Sequence, residues 1–217
     1  AMFYFLLAVI LIDLIRLSNH FIHFLPNAWL TPKAVANLLG LTIILVLGSV
    51  LAGYINAISP RIKHLTLDVN KQANGLKELN IAMASDIHMG TIIGPRRMAK
   101  LVRSMNGLKP DIILFAGDIV DEDLAPVVRQ NLGESLRQLK APMGVYGITG
   151  NHEYIGGGDR AVRYLKEHGI VMLRDSTLKI SGAFYIAGRE DRDKPRFSGK
   201  SRLEVAQLLE NVDKNLP

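Results

Sequence analysis

The sequence predicts an α/β domain preceded by an apolar, membrane-anchoring region. Two observations predict it. Charge is partitioned: residues 1–58 carry only Asp13, Arg16 and Lys33, although the chain holds 26 Lys+Arg and 20 Asp+Glu in 217 residues. Beyond Pro60, short apolar runs alternate with helical patterns bounded by Gly and Pro, which is the signature of strands and helices in one sheet. A chain that is 48% hydrophobic and 21% charged is not intrinsically disordered. With no cysteine it has no disulfide scaffold, thiolate zinc site or Cys nucleophile.

Taken in order, residues 2–17 form a candidate span that meets Asp13 and Arg16, three apart and able to pair on one helix face. The segment from Ser18 to Pro32 carries two Pro, two Asn, two His and Trp29, the chemistry of an interfacial loop. Its histidines, His20 and His23, are read as headgroup-level residues before metal ligands. Residues 34–58 are uncharged and as a helix would extend about 37 Å, more than the hydrocarbon core of a bilayer. They are the stronger span. Arg61, Lys63, Lys71 and Lys77 follow it, against Arg16 and Lys33 around the loop, so the positive-inside rule puts the following domain on the cytoplasmic side.

Residues 59–217 form the folded domain. Ile62–Val69 alternates as a strand would, and Asn74-Gly75 is a turn signal. Leu79–Ala84 reads as a buried strand. A helix opens at Gly94-Pro95 and stops at Gly107. Asp111–Ala116 is a second buried strand, a helix follows over Val127–Leu139, and Gly144–Thr149 is a third strand. Asp159 is a candidate cap for a helix through Lys166, closed by Gly169. Ile170–Leu173, Leu178–Ile180 and Phe184–Ala187 are short strands, and Ser201–Val212 a last helix. The net charge of +6 suits ordinary solubility, an anionic lipid surface or a phosphorylated substrate. There is no long basic run or aromatic-rich basic motif, so nucleic acid is not an expected partner.

Three of the apolar strands end in polar clusters: Ser85-Asp86-Ile87-His88, Gly117-Asp118 and Gly150-Asn151-His152-Glu153. Sites in α/β sheets form beyond the carboxyl ends of the strands. In extended chain Asp86 and His88 face the same side. The glycines before Asp118 and Asn151 allow a sharp turn. Asp86, His88, Asp118 and Asn151 are an oxygen and nitrogen donor set that suits Mn, Fe, Zn or Mg. A carboxylate such as Asp118 can bridge two ions. Singly, each Asp reads as a turn cap and each His as a loop residue. It is their occurrence as a set at three strand ends that points to metal. Glu153 reads as orienting its neighbours, Gly156–Gly158 as a flexible loop before a phosphate cradle, and Arg96 and Arg97 as solvated.

These blocks resemble the calcineurin-like metallophosphoesterase family, whose D-x-H, G-D and G-N-H-[ED] pattern stands here at Asp86–His88, Gly117–Asp118 and Gly150–Glu153, 32 and 33 residues apart. The resemblance covers about residues 78–190. With apolar segments upstream, the chain is similar to the bacterial membrane-associated branch, implying residence in the bacterial inner membrane. The family's fold implies a layered β-sandwich-type core flanked by helices. Its chemistry implies hydrolysis of a phosphoester by a hydroxide bridging two divalent metal ions. Asp86 and His88 would hold the first ion, Asp118 both, and Asn151 the second. His152 would stabilise or protonate the leaving oxygen. A membrane anchor suggests a lipid-linked substrate. The family's later histidine blocks have no counterpart: the last histidine is His168. A fragment stopped before the second half of the site is therefore expected, with a sheet edge open to self-association. A membrane-tethered binding module without catalysis is the alternative.

Overall fold

The uncharged stretch after Lys33 forms one long helix, α2 (Pro32–Ala57), with Pro32 in its first turn and Thr31 Oγ1 capping the Ala34 N–H at 3.3 Å. The structure, a computed structural model, describes residues 2–217 and divides between Thr66 and Leu67 into two compact units. Helix α1 (Met2–Ile22) precedes α2, joined through a 3₁₀ turn at Asn27–Leu30. Both helices are long and apolar enough to cross a membrane. Residues 18–22, expected in the loop, are helical instead. The chain turns after them, with His23 at φ 52° and the Asn19 side chain accepting the Leu25 N–H at 2.7 Å.

In the second unit, β1 (Ile81–Ala84), β2 (Ile112–Ala116), β3 (Val145–Ile148) and β4 (Val171–Met172) form a parallel sheet in that order. β5 (Ser176–Ile180) and β6 (Phe184–Gly188) form an antiparallel hairpin. Helices α3 (Pro95–Gly107), α4 (Leu124–Arg129), α5 (Gly133–Leu136) and α7 (Gly158–Glu167) connect or flank the strands. The period of two along β2 divides the core. Ile113 and Phe115 face α3 and α7 residues such as Met98, Met105, Val162 and Leu165. Ile112 and Leu114 face Ile180 and Phe184 of the hairpin. The sheet thus lies between a helical layer and a hairpin layer. β1 is an edge strand, with Ile81 and Met83 exposed.

Several sequence expectations need correction. Residues 62–69 form no strand: Ile62, Leu65, Leu67 and Val69 are exposed. Alternation makes a strand only where a neighbour completes the ladder. The Asn74-Gly75 turn does form, both residues at positive φ and Leu76 N–H donating to Ala73 at 2.9 Å. The single helix expected over 127–139 is two, α4 and α5, separated by Asn131 at φ 51°. Asp159 does not cap α7. Gly157 does, in left-handed backbone, and Asp159 pairs with Arg174 at 2.5 Å. The last helix is short, α9 (Val205–Leu208), preceded by another short helix, α8 (Lys194–Ser198).

Glu190, just beyond β6, is only 2% exposed. It accepts hydrogen bonds from Thr149 Oγ1 at 2.6 Å, Arg174 Nε at 2.6 Å and the Tyr154 hydroxyl. Burial works against its charge, but the bonds from Thr149, Tyr154 and Arg174 outweigh burial and hold its pKa below the usual 4.5. Tyr154 is pushed up to about 12, by burial first and then by its bond to Glu190. A depressed folded pKa gives stability that is present above the unfolded value and lost as pH falls through the folded one. Glu190→Gln is therefore expected to cost about 2 kcal/mol at pH 7. Its deficit relative to wild type should shrink below the usual glutamate pKa of 4.5. Urea midpoints of both proteins in detergent micelles across the acid range check this.

Candidate metal centre

The three sequence clusters meet because β1, β2 and β3 are adjacent and parallel, so their carboxyl ends open on one edge. Beyond the strands the backbone stays paired: Asp86 N–H donates to Gly117 (3.3 Å), His88 N–H to Asp118 (3.0 Å) and Met89 N–H to Ile119 (2.9 Å). Asp86, His88 and Asp118 all have left-handed backbone, at φ 53°, 50° and 50°. Asp and His tolerate that region better than most residues, at a cost of about 1 kcal/mol or more each. Asp86 and His88 are therefore not in extended chain as expected. Their donor atoms still come together, with Ile87 between them buried in the core.

Donor atoms of Asp86, His88 and Asp118 all lie within 4.8 Å of one another, and so do those of His88, Asp121 and His152. Asp118 Oδ1 also accepts the His152 N–H at 2.9 Å. Asn151 and His152 open the short helix α6 (Asn151–Ile155), both half-buried. The His88 and His152 rings meet edge to face with centroids 4.3 Å apart. His152 Nδ1 is 3.3 Å from Asp121 Oδ1, and His88 Nδ1 is 3.8 Å from the same oxygen.

Asp121 is the residue that the sequence reading missed. Its signal was its place three residues after Asp118, in an acidic run that reads as a solvated turn. Glu153 acts as expected of an orienting residue, and more completely. It is fully buried and accepts N–H bonds from Asp118 (3.1 Å), Val120 (2.8 Å) and Gly150 (2.8 Å). Burial raises its pKa, against the backbone bonds that lower it. Gly150 has no room for a side chain: a Cβ there would lie 2.2 Å from Asp118 Oδ1. Gly156 packs on the Glu122 carbonyl, where a Cβ would come within 2.0 Å, so the Gly156–Gly158 segment is packed at that end.

The site fits divalent cations. Two carboxylates and an imidazole converge, and among the described residues no Lys or Arg is ion-paired with Asp86, Asp118 or Asp121. The convergent negative charge is left for a cation.

Comparison with known proteins agrees. The model of the calcineurin-like phosphoesterase family matches residues 79–214. The chain is 31% identical over 153 residues to an uncharacterized metallophosphoesterase of Aquifex aeolicus, covering 70% of this chain and 58% of that protein. It is 33% identical over 113 residues to a transmembrane protein with metallophosphoesterase domain of Danio rerio, covering 51% and 25%. It is 29% identical over 120 residues to the uncharacterized metallophosphoesterase YkuE of Bacillus subtilis, covering 54% and 42%. The chain thus spans less than two thirds of each of these relatives. Matched across most of its folded unit, with the strand-end clusters inside the matched range, the chain belongs to the calcineurin-like phosphoesterase family.

Proposed function

We propose that the chain is a membrane-anchored phosphoester hydrolase using two divalent cations. The observation that carries this is the convergence of Asp86, His88 and Asp118 donor atoms at adjacent strand ends, with His152 beside them. Asp86, His88, Asp118 and Asn151 would hold the cations. When bound, such ions supply Lewis acidity and an ionised water at neutral pH. His152 supplies the proton. With both ring nitrogens protonated, Nδ1–H donates to Asp121 and Nε2–H is the proton passed to the leaving oxygen, the ring then remaining neutral. Asp121 is then a positioning residue, fixing the ring and pairing with its charge. Helices α1 and α2 support attachment to a bilayer, and the basic residues after α2 support a cytoplasmic domain. Relatives from Aquifex aeolicus and Bacillus subtilis support a bacterial setting for that membrane. A phosphoester carried on a lipid is the substrate class that this attachment favours.

The test is hydrolysis of p-nitrophenyl phosphate and bis(p-nitrophenyl) phosphate by the full chain with Mn²⁺, Zn²⁺ or Mg²⁺. A chelator is expected to abolish it. His152→Ala should lower kcat by about 10²–10⁴-fold with bound metal unchanged, and Asp121→Asn by about tenfold. Turnover indifferent to chelator and to both substitutions overturns the assignment. Metal binding with no turnover of any phosphoester makes the tethered binding module the better reading.

A further inference from the structure

Two hydroxyls share one oxygen on either side of the candidate catalytic turn. Thr149 immediately precedes Gly150 and Tyr154 immediately follows Glu153, and both donate to Glu190 Oε2. Two donors on one acceptor stand no more than about 5–6 Å apart. Residues 150–153, which include Asn151 and His152, are therefore closed into a loop of set width. Glu153 ties the same turn inward, to the N–H groups of Asp118 and Val120. Glu190 is itself held. Its N–H donates to Asp175 at 3.0 Å, and Arg174 bridges it to Asp159. Lys194 reaches Asp175 at 2.8 Å and Glu190 at 3.7 Å.

A buried ion pair is a poor device for stability alone, because well-packed apolar residues often do as well. What this one adds is direction: one carboxylate placed from β6 sets the geometry of a turn after β3. We propose that Glu190 is a positioning residue for the metal centre, setting where Asn151 and His152 stand relative to Asp118 and Asp121. The inference rests on the roles given to Asn151 and His152 above.

The test reads position without requiring turnover. The full chain, labelled with ¹⁵N-histidine, is examined in detergent micelles without metal. The His88 and His152 rings meet edge to face at 4.3 Å, so each sits in the other's ring current. His168, packed on Tyr164, is the internal control. In Glu190→Gln, and independently in Tyr154→Phe, the His88 and His152 imidazole signals should move while those of His168 stay. In parallel, kcat for bis(p-nitrophenyl) phosphate should fall about tenfold or more with KM nearly unchanged. Unmoved His88 and His152 signals in folded variants overturn the proposal and leave Glu190 a stabilising residue only. So does wild-type kcat in variants whose signals move. Tyr154→Phe, which removes one hydroxyl, decides the matter if Glu190→Gln fails to fold. A wild-type chain without hydrolysis overturns the functional reading instead, and the histidine spectra still decide for or against Glu190.

Discussion

Asp118→Asn is expected to reduce metal-dependent hydrolysis by about 10³-fold or more, the equivalent of about 4 kcal/mol of transition-state stabilisation. The substitution is nearly isosteric. An asparagine oxygen can still accept the His152 N–H that Asp118 accepts at 2.9 Å, and neither the backbone N–H of residue 118 that donates to Glu153 nor its carbonyl that accepts from His88 involves the carboxylate. The turn should therefore fold unchanged. What is lost is a negative charge at the point where the donor atoms of Asp86, His88 and Asp118 converge. Metal content, circular dichroism and kcat/KM should separate the two effects: secondary structure intact, bound metal reduced and turnover gone. A variant that keeps more than a tenth of wild-type turnover would show that Asp118 holds no metal essential to the reaction.

Gly150→Ala should be as damaging without touching any chemical group. A methyl there would sit 2.2 Å from Asp118 Oδ1 and 2.7 Å from Asp118 N, and the second atom is backbone that cannot rotate away. On the other side, a Cβ on Gly117 would already meet Gly150 N at 3.0 Å, so the two turns have no slack between them. Relief requires moving the β3 turn away from Asp118. The expected cost is about 3 kcal/mol of stability. A displacement near 1 Å should add about a 10²-fold loss of kcat. Thermal denaturation and kinetics on the same preparation check both. A variant with wild-type stability and turnover would mean that the two strand ends are not packed this closely.

Local chemistry made much of this molecule legible. Strand ends carrying Asp86, Asp118 and Asn151 stood out because an apolar run followed by a small residue (Ser85, Gly117, Gly150) and a ligand-type residue is visible within ten residues. The bounds of α3 were equally local, set by Gly94-Pro95 and Gly107. Residues 62–69 misled because alternation records which side chains could face inward, not whether a neighbouring strand exists. Helix 127–139 misled because Asn131 turns the backbone into left-handed φ of 51°, a break that the apolar periodicity does not record. Asp121 looked like one more acid in a polar turn. Only its 3.3 Å approach to His152, 31 residues away, distinguishes it.

By itself the sequence determined the division into an apolar helical region and an α/β domain, and the strand-end positions of the candidate metal ligands Asp86, His88, Asp118 and Asn151. These follow from composition and short-range periodicity, which act along the chain. The tertiary structure alone decided that Asp86, His88 and Asp118 share left-handed backbone and converge within 4.8 Å. It also decided that Asp121 meets His152 and that Glu190 reaches both sides of the turn at residues 150–153. Those are hydrogen bonds and ion pairs between residues more than thirty positions apart. Their geometry is set by sheet order and register, which no short stretch of sequence contains.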